Sequence, residues 1–229
     1  MSDSLKAPLL QLIDLCKFYG KESQKVEVLR SLNLEVFSGD QIAIVGPSGA
    51  GKSTLLHIMG TLDSPSSGTM KFKGEDLFTK GESECSRFRA KTVGFVFQFH
   101  HLFGEFNLIE NILMPASLSG KKEKQMVLRA QNLIGRVGLS HRMTHYPSQL
   151  SGGELQRAAI ARAFLLHPAL ILADEPTGNL DLQNSLNIQD IFFQMAQEEK
   201  ATLIVVTHDL GFAKKFNRVL KLVDGRWAS

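Results

Sequence analysis

Three stretches of this chain have the residue types and spacing to act on a phosphate group. The first is Gly46-Pro47-Ser48-Gly49-Ala50-Gly51-Lys52-Ser53. It follows the apolar run Gln41 to Val45 and precedes Thr54 to Met59, which is apolar and suited to a helix. Strand, glycine-rich loop and helix in that order form the setting of a phosphate-binding loop. Without Cβ atoms at the glycines, the loop backbone can wrap an anion closely, with its N–H groups turned inward. The positive end of the following helix, from Thr54 onward, adds to the attraction. Lys52 is expected to reach the β- and γ-phosphates of a nucleotide, and the Ser53 hydroxyl to ligate Mg²⁺.

The second stretch is Leu170-Ile171-Leu172-Ala173 running into Asp174-Glu175. In parallel α/β sheets ligands sit beyond the carboxyl ends of the strands. Asp174 there suits the Mg²⁺ shell, and Glu175 beside it suits activation of water. A lone acid at a strand end more often caps a helix or faces solvent. Two in a row, in a chain with a phosphate loop, favour the chemical role. The third stretch is Leu150-Ser151-Gly152-Gly153-Glu154-Leu155-Gln156. Ser151 and Glu154 make an S-x-x-E capping box. That does not account for Gly152 and Gly153, since glycine inside a helix costs up to about 1 kcal/mol. A helix start with Ser and two Gly is a second anion site. Because the chain already has a phosphate loop, this second site suggests another molecule's nucleotide.

The elements that must position these groups can be read along the chain. Leu9 to Leu15 and Val26 to Phe37 read as strands, the second with Val28, Leu32, Leu34 and Val36 mostly at even spacing. Between them, after a first strand ending at Leu15, lies Lys17-Phe18-Tyr19-Gly20, followed by a polar turn from Gly20 to Gln24. An aromatic there either stacks on a nucleotide base or is an ordinary strand-end residue. Thr69 to Lys73 is a short strand before a turn at Gly74-Glu75-Asp76. Ser83 to Ala90 is a short helix, and Thr92 to Phe97 a strand ending at Gln98. Asn107 to Leu118 is helix-like despite Pro115. In the helix Lys121 to Val137, Met126, Ala130, Leu133 and Val137 share one face. Ser151 opens a helix to about Leu166, Ala169 to Ala173 is a strand, and Asn184 to Glu198 is an amphipathic helix. Thr202 to Thr207, ending at His208, and Val219 to Val223 are the last strands. Strands alternating with helices indicate an α/β fold with a largely parallel sheet.

Composition limits the function class. The 229 residues suit one large domain, or a core with a small inserted subdomain, and a 43% hydrophobic fraction supplies a core. A net charge of +3 suits a polyanionic nucleotide and is too weak to imply nucleic acid. Cys16 and Cys85 offer neither a disulfide framework nor zinc spacing, so a reducing compartment is the default. Met1 to Pro8 lacks a signal-peptide pattern, and no apolar run approaches the roughly 18 residues of a membrane span. Any membrane role is expected to come through a partner.

The phosphate loop, Gln98, Leu150 to Gln156, Leu170 to Pro176, Gly178-Asn179-Leu180-Asp181 and His208 occur in an order and spacing that resemble ATP-binding cassette (ABC) ATPases. The likeness covers essentially the whole chain. It implies a single ABC ATPase domain over 1–229. That domain would have a P-loop NTPase (RecA-like) core, an N-terminal antiparallel β-subdomain and a helical subdomain inserted at about 99–158. It implies a homodimer in the presence of ATP, with two ATPs sandwiched head to tail. Each ATP would touch one chain's phosphate loop and the other chain's Ser151, Gly152, Gly153 and Glu154. On the same resemblance Tyr19 stacks on adenine, and Gln98 contacts Mg²⁺ or water. Glu175 is the general base, His208 holds the γ-phosphate, and Asp181 lies at the dimer interface.

A finer resemblance, to the ATP-binding subunits of bacterial lipoprotein-releasing complexes, rests on Gln98 to Leu102, Glu105-Phe106-Asn107, and Glu110-Asn111 with Met114-Pro115. Gly178 to Asp181 also fits macrolide-export and cell-division ATPases, and Phe103-Gly104 departs from the more usual Leu then Pro or Ser. The resemblance implies a peripheral protein at the cytoplasmic face of the inner membrane, with integral membrane permease subunits docking near Phe99 to Pro115. With only a short stretch after His208, the C-terminal regulatory domain of many importer ATPases is not expected. A soluble non-transport regulator would usually carry two cassettes or a coiled-coil insertion, and a P-loop kinase gives no reason for the Ser151 to Glu154 motif.

Overall fold

The computed structural model describes residues 7–20, 25–119 and 123–228. The expected turn at residues 21–24 and the start of the helix expected from Lys121 lie outside them. The strands and α-helices follow in the order β1 (Leu10–Tyr19), β2 (Val26–Val36), β3 (Gln41–Val45), α1 (Lys52–Met59), β4 (Ser67–Phe72), β5 (Glu75–Asp76), α2 (Glu82–Thr92), β6 (Val93–Phe97), α3 (Leu108–Ser119), α4 (Glu123–Arg136), α5 (Gly152–Phe164), β7 (Leu170–Asp174), α6 (Leu182–Glu198), β8 (Thr202–Val206), α7 (Leu210–Ala213), β9 (Arg218–Val223) and β10 (Arg226–Ala228). They fall into two compact units, Met1–Arg89 with Val206–Ser229, and Ala90–Val205.

In the first unit β2, β1, β4 and β5 form an antiparallel sheet in that order. Leu10 sits opposite Val36 on one side and Phe72 on the other. β9 pairs parallel with β3, from Ile42 opposite Arg218 to Val45 opposite Lys221, and β10 closes on β9 as an antiparallel edge. Ile42 to Val45 are all buried, as an apolar strand covered on both faces requires. β1 runs past Leu15, where the sequence pattern ends, to Tyr19. The β1–β2 register shifts between Leu12 and Leu15 and twice more before Phe18, and Asp14 has φ 46°. Such irregularities break the two-residue period, so the alternation that marks a strand disappears from the sequence. β5 and β10 were too short to show a period, and Glu75-Asp76 is a strand where the sequence pattern indicates a turn.

In the second unit β6 and β7 pair in parallel, with Val93 opposite Leu170 and Phe97 opposite Asp174. The helices α3, α4 and α5 occupy the chain between them, and α3 continues through Pro115. The centre of this unit is α5, which packs on α3, α4, α6 and β6. Its approach to β6 is close: a Cβ at Gly94 would stand 2.4 Å from the Ala163 carbonyl oxygen. Ala158, Ala159, Ile160, Ala161 and Phe164 are buried along α5, so small residues let its neighbours pack tightly.

Candidate nucleotide site

In the first unit β3 delivers the chain into the loop Gly46–Gly51. A Cβ at Gly46 would lie 2.0 Å from the Leu222 carbonyl oxygen, so no other residue fits there without moving β9. Gly51, at φ 99°, is the N-cap of α1. It accepts the first helical bond from Leu55 N (2.9 Å), and a Cβ there would meet the Val28 oxygen at 2.8 Å. No side chain caps α1 and no acid stands in its first turn. No carboxylate of its own first turn therefore offsets its positive end. Lys52 Nζ donates to the Gly46 and Pro47 carbonyls, both at 2.9 Å. The ammonium is thereby folded over the loop with a third N–H remaining. Ser48, Gly49 and Ser53 are exposed.

Tyr19 ends β1 with 46% of its surface exposed. Its hydroxyl donates to Asp63 Oδ2 at 2.7 Å, and the other oxygen of Asp63 takes Lys17 Nζ at 2.6 Å. Lys17 Nζ also lies 4.7 Å from the centroid of the Tyr19 ring. Burial works to raise the Asp63 pKa, but the bonds from Lys17 and Tyr19 outweigh it and the net shift is downward. Burial, then Asp63, pushes the Tyr19 phenol up. Asp63 sits in a loop with no sequence signal to single it out. His208, also in this unit, is exposed. Its neighbour Thr207 donates its N–H to the Ile44 carbonyl at 3.1 Å and accepts from Asp209 N at 3.0 Å. His208 is thus fixed beside the strand that feeds the phosphate loop.

The second unit gathers the acids and Gln98. Because Phe97 pairs with Asp174 in a parallel register, Gln98 and Glu175 leave the sheet side by side at its carboxyl end. Gln98 Nε2 donates to Asn179 Oδ1 at 2.9 Å, and Asn179 Nδ2 returns a bond to the Gln98 carbonyl at 3.4 Å. Asp174 and Glu175 are half-buried. Glu175 has φ 45°, a left-handed conformation uncommon for a residue with a side chain. Such outliers cluster at functional sites. A turn closed by Gly178 N to the Glu175 carbonyl (3.1 Å) then leads to Asp181, the N-cap of α6. Its carboxylate accepts from Asn184 N at 3.0 Å, which lowers its pKa.

α5 starts against this turn: a Cβ at Gly153 would stand 3.1 Å from Asn184 Oδ1. The capping box read from the sequence is present. Glu154 N donates to Ser151 Oγ (3.3 Å), and Ser151 N donates to Glu154 Oε2 (2.8 Å). Ser151 and Gly152 are exposed. Further along α5, Arg162 is anchored on the carbonyls of His100 and His101 at 2.6 and 2.5 Å, and its burial lowers its pKa to about 10. The last turn of α5 is thereby tied to the segment that follows Gln98. In that segment Phe99, Phe103 and Phe106 are 68%, 51% and 38% exposed, while Leu108 and Ile112 are buried in the core. Buried Asn111 props up the exposed part, bonding the Phe103 N–H and the carbonyls of Phe103, Phe106 and Asn107.

A phosphate loop on a parallel strand, with paired acids at the end of another, defines a nucleotide-binding P-loop α/β protein. The ABC transporter family matches residues 29–178. The chain is 50% identical over 218 residues to the lipoprotein-releasing system ATP-binding protein LolD of Geobacter metallireducens, covering 95% of this chain and 97% of that one. It is 48% identical over 220 residues to LolD of Bdellovibrio bacteriovorus, covering 96% and 100%. Among solved structures it is similar to the dimeric structure of MJ0796, a bacterial ABC transporter cassette, with a TM-score of 0.88 and 33% identity over 96% of this chain and 97% of that one. A dimeric post-hydrolysis state of MJ0796 bound to ADP and Pi matches with the same TM-score at 32% identity, again over 96% and 97%. The chain belongs to the ABC transporter family of ATP-binding proteins, in the group of the lipoprotein-releasing ATP-binding subunits. Its fold is that of an ABC ATPase, and it binds and hydrolyses ATP. Among the described residues no helix is long and apolar enough to cross a membrane.

Proposed function

We propose that this chain powers the release of lipoproteins from the bacterial inner membrane toward the outer membrane, as a peripheral subunit at the cytoplasmic face. The observation that carries this reading is near end-to-end identity of about half with relatives named for that system. In this reading 1–229 is one ATPase domain, with residues from about 99 to 158 as its helical insertion. The backbone from Gly46 to Gly51, with Lys52, Ser53 and Thr54, wraps the phosphates, and Tyr19 stacks on adenine while Asp63 fixes its edge. Glu175 takes the proton of the attacking water, His208 holds the γ-phosphate, and Gln98 contacts Mg²⁺ or water.

Mg²⁺ fits the donor set, since the Ser53 hydroxyl and the Asp174 carboxylate are hard oxygen ligands. Gln98 has its amide nitrogen on Asn179, which leaves its oxygen as the ligating end. Bound Mg²⁺ would neutralise charge on the β- and γ-phosphates. Among the described residues no three His, Cys, Asp or Glu side chains converge on a metal site.

In the same reading two copies sandwich ATP, Ser151 to Glu154 of each facing the other's nucleotide and Asp181 lying between the copies. Membrane permease subunits dock near Phe99 to Pro115, where three exposed phenylalanines make a patch of the kind that marks partner sites. The test is lipoprotein release from membranes reconstituted with the membrane subunits. Phe103→Glu is expected to leave the ATPase of the isolated chain near normal, while release and copurification are lost. Normal release by that variant would move the docking surface elsewhere. Transport of another cargo with no lipoprotein release would favour an export or cell-division ATPase.

A further inference from the structure

The capping box leaves a problem that Arg142 solves. Glu154 puts a carboxylate in the first turn of α5, two residues beyond Gly152. An ionised carboxylate there repels any anion that approaches the helix start. It is ionised: the Ser151 backbone N–H, against the opposing effect of burial and with further help from Arg142, lowers its pKa to about 2. Arg142 comes from outside α5, at the end of the short 3₁₀ turn Ser140–Arg142. Its Nε donates to Glu154 Oε1 at 2.9 Å, and its Nη1 donates to His145 Nε2 at 3.1 Å.

Both carboxylate oxygens are then occupied, one by Ser151 N and one by the guanidinium. The carboxylate is held back from the helix mouth and its charge is matched at short range. Ser151 Oγ accepts from Glu154 N, and the Ser151 side chain also hydrogen-bonds the Glu154 carboxylate, which adds to the lowering of its pKa. The N–H groups of Gly152 and Gly153 are the donors at the helix mouth, and the carboxylate nearest to them is matched by Arg142.

We propose that Arg142 is a positioning residue for the anion-binding start of α5, neutralising and orienting Glu154 so that Ser151, Gly152 and Gly153 can engage a partner's nucleotide. This rests on the reading of that start as the face toward a second copy's ATP. Arg142 touches no nucleotide itself. Its removal leaves Glu154 ionised, because the Ser151 N–H still favours the charged form, and so exposes an unmatched negative charge to the phosphates.

The test compares Arg142→Ala, Glu154→Gln and the double variant in the full-length chain. Gln at 154 keeps the acceptor for Ser151 N but removes the charge. Arg142→Ala is expected to lower ATPase turnover and ATP-driven dimerisation about tenfold, the scale of a close charge coupling. Affinity of the single chain for a fluorescent ATP analogue should stay unchanged. Adding Glu154→Gln to Arg142→Ala should bring activity to within about twofold of Glu154→Gln alone, because without the carboxylate no charge is left for Arg142 to match. A purely structural role would not give that rescue. A silent Arg142→Ala, or a double variant as impaired as Arg142→Ala, would overturn the inference. Gly153→Asp separates the two layers. If it too leaves ATPase and dimerisation intact, the trans-nucleotide reading itself fails; if it abolishes both while Arg142→Ala is silent, only the role of Arg142 fails.

Discussion

The helices α1 and α5 both have glycine at their beginnings, Gly51 as the N-cap of α1 and Gly152 as the first residue of α5, yet their first turns are finished differently. α1 has Gly51 as its N-cap, no side-chain cap and no acid in its first turn. Its loop turns inward on itself, with Lys52 bonded to the carbonyls of Gly46 and Pro47. α5 has a reciprocal capping box and a first-turn carboxylate matched by Arg142. Its other end is tied as well: Arg129 donates to the Phe164 and Leu165 carbonyls and to Glu199, and Glu199 also receives Arg136 and His167. At the first helix start no side chain meets the N-terminal donors. At the second, side chains meet the N–H groups of Ser151 and Glu154 and hold the first turn in shape, while those of Gly152 and Gly153 face outward to a ligand in the proposed reading. Such a division suits a site of two halves, in which one half closes around ATP and the other is presented ready-made.

The largest expected effect separates binding from turnover. Glu175→Gln leaves both helix starts intact and removes the proposed base. Hydrolysis should fall by about 10²-fold or more while ATP affinity survives. Near-normal turnover, measured as phosphate release, would remove Glu175 from that role.

A smaller effect tests the claim that α5 is held without ligand. Glu199 is nearly buried, with the guanidinium groups of Arg129 and Arg136 and the His167 imidazole on its two oxygens. Burial works to raise its pKa, but the bonds from Arg136 and Arg129 outweigh it and the net shift is downward. A carboxyl with a lowered folded pKa stabilises the fold fully above its unfolded pKa, and loses that stabilisation as pH falls through the folded value. Stability should therefore drop on acidification below the ordinary carboxylate range. Glu199→Gln should cost about 2 kcal/mol near neutral pH and flatten that drop. Thermal unfolding without nucleotide reads both. An unchanged melting temperature and pH profile would mean that α5 does not rely on this end.

What could be read from sequence was local. The phosphate loop declares itself by strand, glycines and helix within one short stretch. The capping box declares itself by Ser151 and Glu154 three residues apart. Arg142 was not legible, because it meets Glu154 across a turn and no local pattern joins them. Asp63 was hidden for the same reason: its bonds to Tyr19 and Lys17 cross from one loop to a distant strand. The end of β1 was lost to register shifts that erase the alternating pattern. The apolar residues after Gln98 could be counted but not sorted. Only burial separates exposed Phe99, Phe103 and Phe106 from buried Leu108 and Ile112.

The central claim is that two chains share each ATP, one with α1 and the other with α5. Light scattering or sedimentation of Glu175→Gln with and without MgATP tests it most directly, because a sandwich that forms there cannot be hydrolysed. The account predicts a monomer without nucleotide and a dimer with MgATP. It also predicts that the dimer is lost when Gly153→Asp places a carboxylate at the start of α5. A species that stays monomeric with MgATP at high protein concentration would contradict it, and so would a dimer that forms equally well with Asp at position 153.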